Sequence, residues 1–411
     1  LRQAGDVYIN AEKVIGVYGM GLTQHTHGAL NIAMLVNLLL LRGNIGRPGA
    51  GCCPVRGHSN VQGQRTVGIA EKVALVPLDK LKELFGFAPP TKDGMNIVEA
   101  VEALFAGKVR AFVCLGGNLL RAVPDQQRME QAWAAQDLTV MISTKLNRSH
   151  LFPGSEAYIL PCLGRFETDM QATGNQSVTT EDSFSMISAS TGHRPPPSDM
   201  LKSELAIVAG IAKATLAPSE RLKWDAWTAD YSIVRDLIEK TYPEDFHDYN
   251  ARMLTPGGFY RGNAAHERIW KTPSGKAVFT TPGQLNSLGF QNAPGRYRLI
   301  TLRSNDQFNT TIYGYSDRLR GLAGARDVLL MNPDDIAEAG LHNGQRVTLV
   351  TDIDDGHDRR LRGLTLTAYK LPSGTIGAYY PESNVLVPID HHDALSKTPA
   401  YKSIPVRIEA A

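Results

Sequence analysis

Arginines and glycines without nearby carboxylates are the first residues here that could do chemistry. Residues 13–70 contain no Asp or Glu, yet include Lys13, Arg42, Arg47, Arg56 and Arg65. Within that window lies RGNIGRPGAGCCPVRGHSNVQGQRTVG (42–68), whose glycines let backbone N–H groups approach a ligand closely. Backbone donors beside guanidinium groups suit phosphate or an oxyanion. Composition alone leaves a basic surface loop equally open. A second carboxylate-free window, 268–305, carries Arg268, Lys271, Lys276, Arg296, Arg298 and Arg303. The two windows fit one extended polyanion gripped from both sides, or two unrelated solvated faces.

Other catalytic patterns are missing. The sequence has no GxSxG, no Walker GxxxxGK[ST] and no HExxH, and Gly19-Met20-Gly21 lacks the third glycine of a dinucleotide fingerprint. His25 and His27 could share one face of a strand, but no Cys, Asp or Glu stands near to complete a metal site, and His391-His392-Asp393 has the same weakness. No metal ligand is expected in this chain. Cys52, Cys53, Cys114 and Cys162 form no CxxC pair, so they are expected as small core residues in a reducing, cytoplasmic compartment.

The elements that must position these residues follow from periodicity. At 411 residues two or three domains are expected; a net charge of +2 and 20% charged residues exclude disorder and a polybasic nucleic-acid binder. No apolar run reaches the ~20 residues of a membrane span. The chain opens Leu1-Arg2-Gln3 without an initiator Met or signal pattern, which reads as a cut from something longer. Residues 13–21 read as a strand, 29–41 as a helix apolar on every face and therefore buried, and 42–68 as a loop too punctuated for regular structure. Helix 96–107, buried strand 110–116, helix 125–136, and strands 138–143 and 157–161 then predict a parallel sheet with helices on its faces. Its ligands should sit beyond the carboxyl ends of the strands, where Gly116-Gly117-Asn118 lies. Helices are expected at 201–216 and 221–240, with irregular chain at 242–283. From 298 the short runs LITL, DVLLM, RVTLV, LTLTAY, TIGAYY, VLVPI and SIPVRIE, with one helix at 332–340, predict a small β-barrel. The expected division is 1–220, a linker at 221–290, and 291–411.

Together these segments resemble the catalytic subunit of molybdopterin oxidoreductases, in the formate-dehydrogenase-like alpha-subunit branch. The resemblance rests on GMGLTQHTHGALNIAMLVNLLLLRGNIGRPGAGCCPVRGHSNVQG (19–63) with its PVRG-x-x-NVQG, LGGNLLRAVPD (115–125) and AYILPCLGRFETDMQATGNQSV (157–178). In the barrel it rests on LRSNDQFNTTIYG (302–314), NPDDIAEAGLHNGQRVTL (332–349) and YYPESNVLVPIDHHDALSKTPAYKSIPVRI (379–408). It runs nearly end to end and is weakest at about 221–275.

The resemblance implies a mixed α/β chain, a Rossmann-like parallel-sheet domain followed by a double-psi type β-barrel. Between them would lie bis-molybdopterin guanine dinucleotide with molybdenum or tungsten. It implies that Arg56 orients the substrate and stabilises its negative charge beside the metal, a positioned-cation role. His58, Asn60 and Gln62 would contact pterin, and His58 stands where well-known formate dehydrogenases have glutamine. Gly116, Gly117 and Asn118 would meet phosphates or guanosine, with Thr144 and Asn147 at the next strand end. Arg303, Asn305, Asn309, Thr310 and Thr311 would receive a pterin phosphate, and Asn384, Tyr401 and Lys402 would close over the pterin. The metal ligand and any iron–sulfur cluster would belong to a preceding region, so this polypeptide is expected to be the C-terminal part of the enzyme and inactive alone. The intact enzyme would exchange electrons between a small anionic substrate and a redox partner protein. The alternative is a non-catalytic guanine dinucleotide-binding or assembly module derived from the same family.

Overall fold

The computed structural model describes residues 1–283 and 290–410. Strands β1 (Ile15–Tyr18) and β2 (Gly51–Pro54) form a parallel pair, joined through the helix Gly28–Leu41. That helix packs tightly because Gly16 has no side chain: a Cβ there would stand 3.1 Å from the methyls of Leu35 and Leu39. Its expected burial is not observed. Only Gly28 and Leu39 are buried, and Leu41 is 70% exposed, since among the described residues the β1–β2 pair covers one side of it. Asn37 exchanges hydrogen bonds with the Thr280 backbone instead of meeting a core. The 42–68 loop is also more regular than expected, holding β2 and the short helix Val61–Thr66.

β3 (Ala111–Leu115), β4 (Leu138–Ser143) and β5 (Glu156–Pro161) form a parallel sheet in that order. The helix Ile97–Phe105 begins at a capping box, Asn96 accepting from the Val98 and Glu99 amides while the Glu99 carboxylate accepts from the Asn96 amide. Its Val98, Val101 and Leu104 face packs with Met129 and Trp133 of the helix Gln126–Ala134, and with Met141 of β4. The opposite sheet face, with Val113 of β3 and Tyr158 of β5, lies open, so the expected buried strand 110–116 is buried on one side only.

The hairpin β6 (Met170–Gln171) and β7 (Gly174–Asn175) leads into antiparallel β8 (Ser177–Glu181) and β9 (Met186–Thr191), extended by β10 (Phe259–Tyr260). The helix Glu204–Thr215 follows, and the run expected as one helix at 221–240 is two, Trp224–Ala229 and Tyr231–Thr241. The break falls at Asp230, whose carboxylate caps the second by accepting from the Ser232 amide. In the expected linker, Phe246, Tyr249, Met253 and Phe259 pack with Ile187 of β9 into a core of their own, while 284–289 lie outside the described residues.

The barrel comprises β11 (Tyr297–Leu302), β14 (Val328–Met331), β15 (Arg346–Thr351), β16 (Arg360–Ala368), β17 (Thr375–Tyr379) and β18 (Ile404–Ala410), closed in the order β11-β17-β14-β16-β15-β18. Between β11 and β14 stands the small hairpin β12 (Gln307–Phe308) and β13 (Thr311–Ile312). The run VLVPI is not the strand expected. It is apolar because Leu386 and Val387 fill the barrel core while Ile389 enters the core of the α/β layer. Among the described residues no helix is long and apolar enough to cross a membrane.

Candidate functional site

The barrel grips the turn that follows β3. The Tyr401 and Tyr380 hydroxyls both donate to Ala122 O, at 2.9 and 3.2 Å, and the Asn384 amide donates to Arg121 O and Val123 O at 2.9 and 2.7 Å. Asp125, buried and in the left-handed region at φ 53°, accepts from Arg359 Nε at 2.7 Å and from the Ile389 amide at 2.9 Å. The Asn384 and Tyr401 side chains thus hold this turn.

With the turn clamped, Gly116 and Gly117 at the carboxyl end of β3 adopt φ values of 69° and 83°, which a side chain would strain. Asn118 reaches the barrel, its amide donating to Thr310 Oγ1 at 3.3 Å. Asn147 steadies the same turn from β4's side, donating to Gly117 O at 2.8 Å while accepting from the Ser149 amide. Thr144, just past β4, and Thr311 on β13 are exposed, and Asn309 takes φ 48° at the hairpin tip. Among the described residues, the buried polar atoms without a partner include the Asn118 carbonyl oxygen and the Asn305 amide nitrogen, with the Asn384 carbonyl oxygen also unpaired. The first two offer one acceptor and one donor to a ligand.

A cavity of about 460 Å³ opens between the two folds, lined by Met20, Gly21 and His25 from one side and Ile300, Arg303, Arg320 and Lys402 from the other. Burial, reinforced by Arg303 and Arg320, pushes the Lys402 ammonium down to about 7, and among the described residues its Nζ donates only to Thr301. Burial also lowers the Arg303 guanidinium, which stacks 4.2 Å from the Tyr380 ring centroid. Arg320 pairs with Asp317. Two guanidinium groups with a single carboxylate between them leave an uncompensated positive charge, and an anion bound there would also favour the protonated form of Lys402. Sequence reasoning missed Arg320, which lies outside both basic windows, and considered His25 only as a metal ligand on a strand. His25 instead sits in the turn after the short helix Met20–Thr23, and no cluster of His, Cys, Asp and Glu fit for a metal exists among the described residues.

The PVRG loop leaves the carboxyl end of β2 toward the barrel. The His58 ring lies 4.8 Å from that of Phe308 on β12, and Arg56 beside it is exposed, with no ion pair among the described residues. Burial pushes the nearby Tyr18 phenol up while Arg56 pulls it down. Asn60 and Gln62 face the other way. Asn60, at φ 62°, accepts from the Glu181 amide at 3.0 Å, and Gln62 reaches Glu181 and Ser185 at 3.5 and 3.4 Å. Gly63 is required there because a Cβ would stand 2.0 Å from the Asn60 oxygen. Asn60 and Gln62 therefore anchor the loop on β8, leaving Arg56 and His58 at its free edge. Cys52 and Cys53 are half-buried on β2, and burial pushes the Cys114 and Cys162 thiols up to about 11.

Two family models match the chain: molybdopterin oxidoreductase over residues 6–151, and the molydopterin dinucleotide binding domain over residues 297–405. Protein YdeP of Escherichia coli is 48% identical over 411 residues, covering 100% of this chain and 54% of the relative. An uncharacterized oxidoreductase of Mycobacterium bovis is 44% identical over 415 residues, covering 100% of this chain and 53% of its own length. A putative formate dehydrogenase of Bacillus subtilis, YrhE, is 28% identical over 185 residues, 42% of this chain and 18% of that protein. The chain spans about half the length of the curated relatives it matches over its full extent.

Proposed function

We infer that the chain is a member of the molybdopterin oxidoreductase family, carrying its dinucleotide-binding domain, because both family models match it. From that premise we propose that it cradles bis-molybdopterin guanine dinucleotide between the α/β layer and the barrel, in an enzyme that oxidises or reduces a small anionic substrate of the formate type. The observation that supports this most is the cavity shared by both folds, where Arg303, Arg320 and Lys402 converge with one carboxylate among them. Residues and group fit each other: a pyrophosphate-linked dinucleotide is a polyanion, and a guanine base has both the donors and the acceptor that Asn118 Oδ1 and Asn305 Nδ2 lack. Arg303, Arg320 and Lys402 would hold phosphate. Gly116, Gly117, Asn118, Thr144, Asn147, Asn305, Asn309, Thr310 and Thr311 would line the nucleoside side. When bound, the molybdenum or tungsten pterin supplies two-electron chemistry. The chain's own part is to orient, and Arg56, exposed at the free edge of its loop beside His58 and without an ion pair among the described residues, is the group that would hold the substrate's negative charge.

Four free thiols fit a reducing cytoplasmic setting for this enzyme. Acid treatment of the full-length protein tests the cofactor reading: release of GMP at about two equivalents per metal supports it, and nucleotide without metal supports a non-catalytic binding module instead. Metal and sulfide analysis of the same sample decides between molybdenum and tungsten and detects any iron–sulfur cluster. Arg56→Ala should lower kcat/KM by at least ~10²-fold with cofactor content unchanged, from the cost of removing one preorganised charge-stabilising donor.

A further inference from the structure

The two histidine motifs, far apart in the sequence, meet at one serine. His25 Nε2 lies 2.8 Å from Gly21 O, and His25 Nδ1 lies 3.0 Å from Ser403 Oγ. A carbonyl only accepts, so Nε2 carries the proton and the Ser403 hydroxyl donates to Nδ1. His391 approaches Ser403 from within the barrel segment, its Nε2 standing 3.0 Å from Ser403 O. Ser403 is buried and sits next to Lys402, whose backbone amide donates to Gln24 O at 3.0 Å. Burial, with Lys402 and Arg298 nearby, holds the His25 imidazole below its usual range, which preserves the neutral, one-donor, one-acceptor ring. Gly21 and His25 belong to one wall of the cationic cavity, and Lys402 to the other. The Gly21 bond lies within one wall and orients the ring. The Ser403 bond crosses between walls.

We propose that His25 is a positioning residue for the anion cavity: its imidazole, bonded to Ser403, sets the spacing between the Gly21 wall and the Lys402 wall across which a phosphate group is gripped. This rests on the reading that the cavity takes the phosphates of the dinucleotide. It assigns His25 no contact with the reacting atoms and no metal.

The test titrates the full chain calorimetrically with inorganic pyrophosphate at constant ionic strength. Wild type binds, and Arg303→Gln weakens binding by about 10-fold or more, as loss of a charge-assisted contact predicts. His25→Ala and Ser403→Ala each weaken it about 5- to 10-fold, the scale of one hydrogen bond, and the double variant is no worse than either single one. The conservative variants separate positioning from packing. His25→Asn places Oδ1 near the site of Nδ1, keeps the Ser403 bond and stays within about 3-fold of wild type. His25→Gln can keep only the Gly21 bond and resembles His25→Ala. If His25→Ala and Ser403→Ala bind like wild type, or if their losses add, the inference is overturned while the cavity reading stands. If wild type fails to bind, or Arg303→Gln binds as wild type does, both are overturned.

Discussion

Lys402 shows most clearly how one residue's surroundings convert into a measurable pH response. Its ammonium sits at about 7 in the folded chain against an ordinary 10.5, because burial and two guanidinium groups disfavour the charge. Between those values the unfolded chain holds a proton that the folded chain has released, so stability of the ligand-free protein should rise with pH across that window. The steepest slope is about 1.4 kcal/mol per pH unit. Chemical denaturation between pH 6 and 10 checks this, and Lys402→Met should flatten the rise. Pyrophosphate binding at pH 8 should take up a proton, visible as a binding enthalpy that changes with the buffer's ionisation enthalpy; Lys402→Met should abolish that dependence. Neither response was legible in the sequence, where Lys402 is one basic residue in a closing segment. What drives it is burial beside Arg303 and Arg320, brought together by the barrel closing on itself.

At the scale of elements, local signals are legible in the sequence and tertiary covering is not. The Asn96 start of its helix and the limits of β4 follow from capping chemistry and alternation inside a few residues. The helix Gly28–Leu41 and the VLVPI run misled because apolar character says that a residue seeks cover, not which neighbour gives it. The short connection at Asp125 had no such signal at all: its positive φ and its bonds to Arg359 and Ile389 exist only once the barrel docks. Asp125→Ala leaves Arg359 with Asp355 as its remaining carboxylate partner. The expected cost is about 3 kcal/mol, near the low end for breaking a buried ion pair. Urea denaturation checks the value. Replacing the capping residue, Asn96→Ala, should cost about 1 kcal/mol in the same assay.

At the scale of the whole molecule, the sequence predicts an α/β layer followed by a barrel and leaves open whether its two basic windows meet, and the structure supplies a meeting place. Of the second basic window's cations only Arg303 lines the cavity among the described residues, beside Ile300; the first window contributes Met20, Gly21 and His25 rather than its arginines. Chain distance hid this, since the cavity joins residues near 20 to residues near 300 and 400. Asn60, Gln62, Asn384 and Tyr401, expected to touch the pterin, also hold the surrounding loops. The central claim, that one polyanionic dinucleotide spans both folds, is tested most directly by amide hydrogen exchange of the full chain with and without GDP. Protection should appear together at 19–25, 116–118 and 300–310. Binding that protects amides on one fold alone, or protects none of these segments, would contradict it.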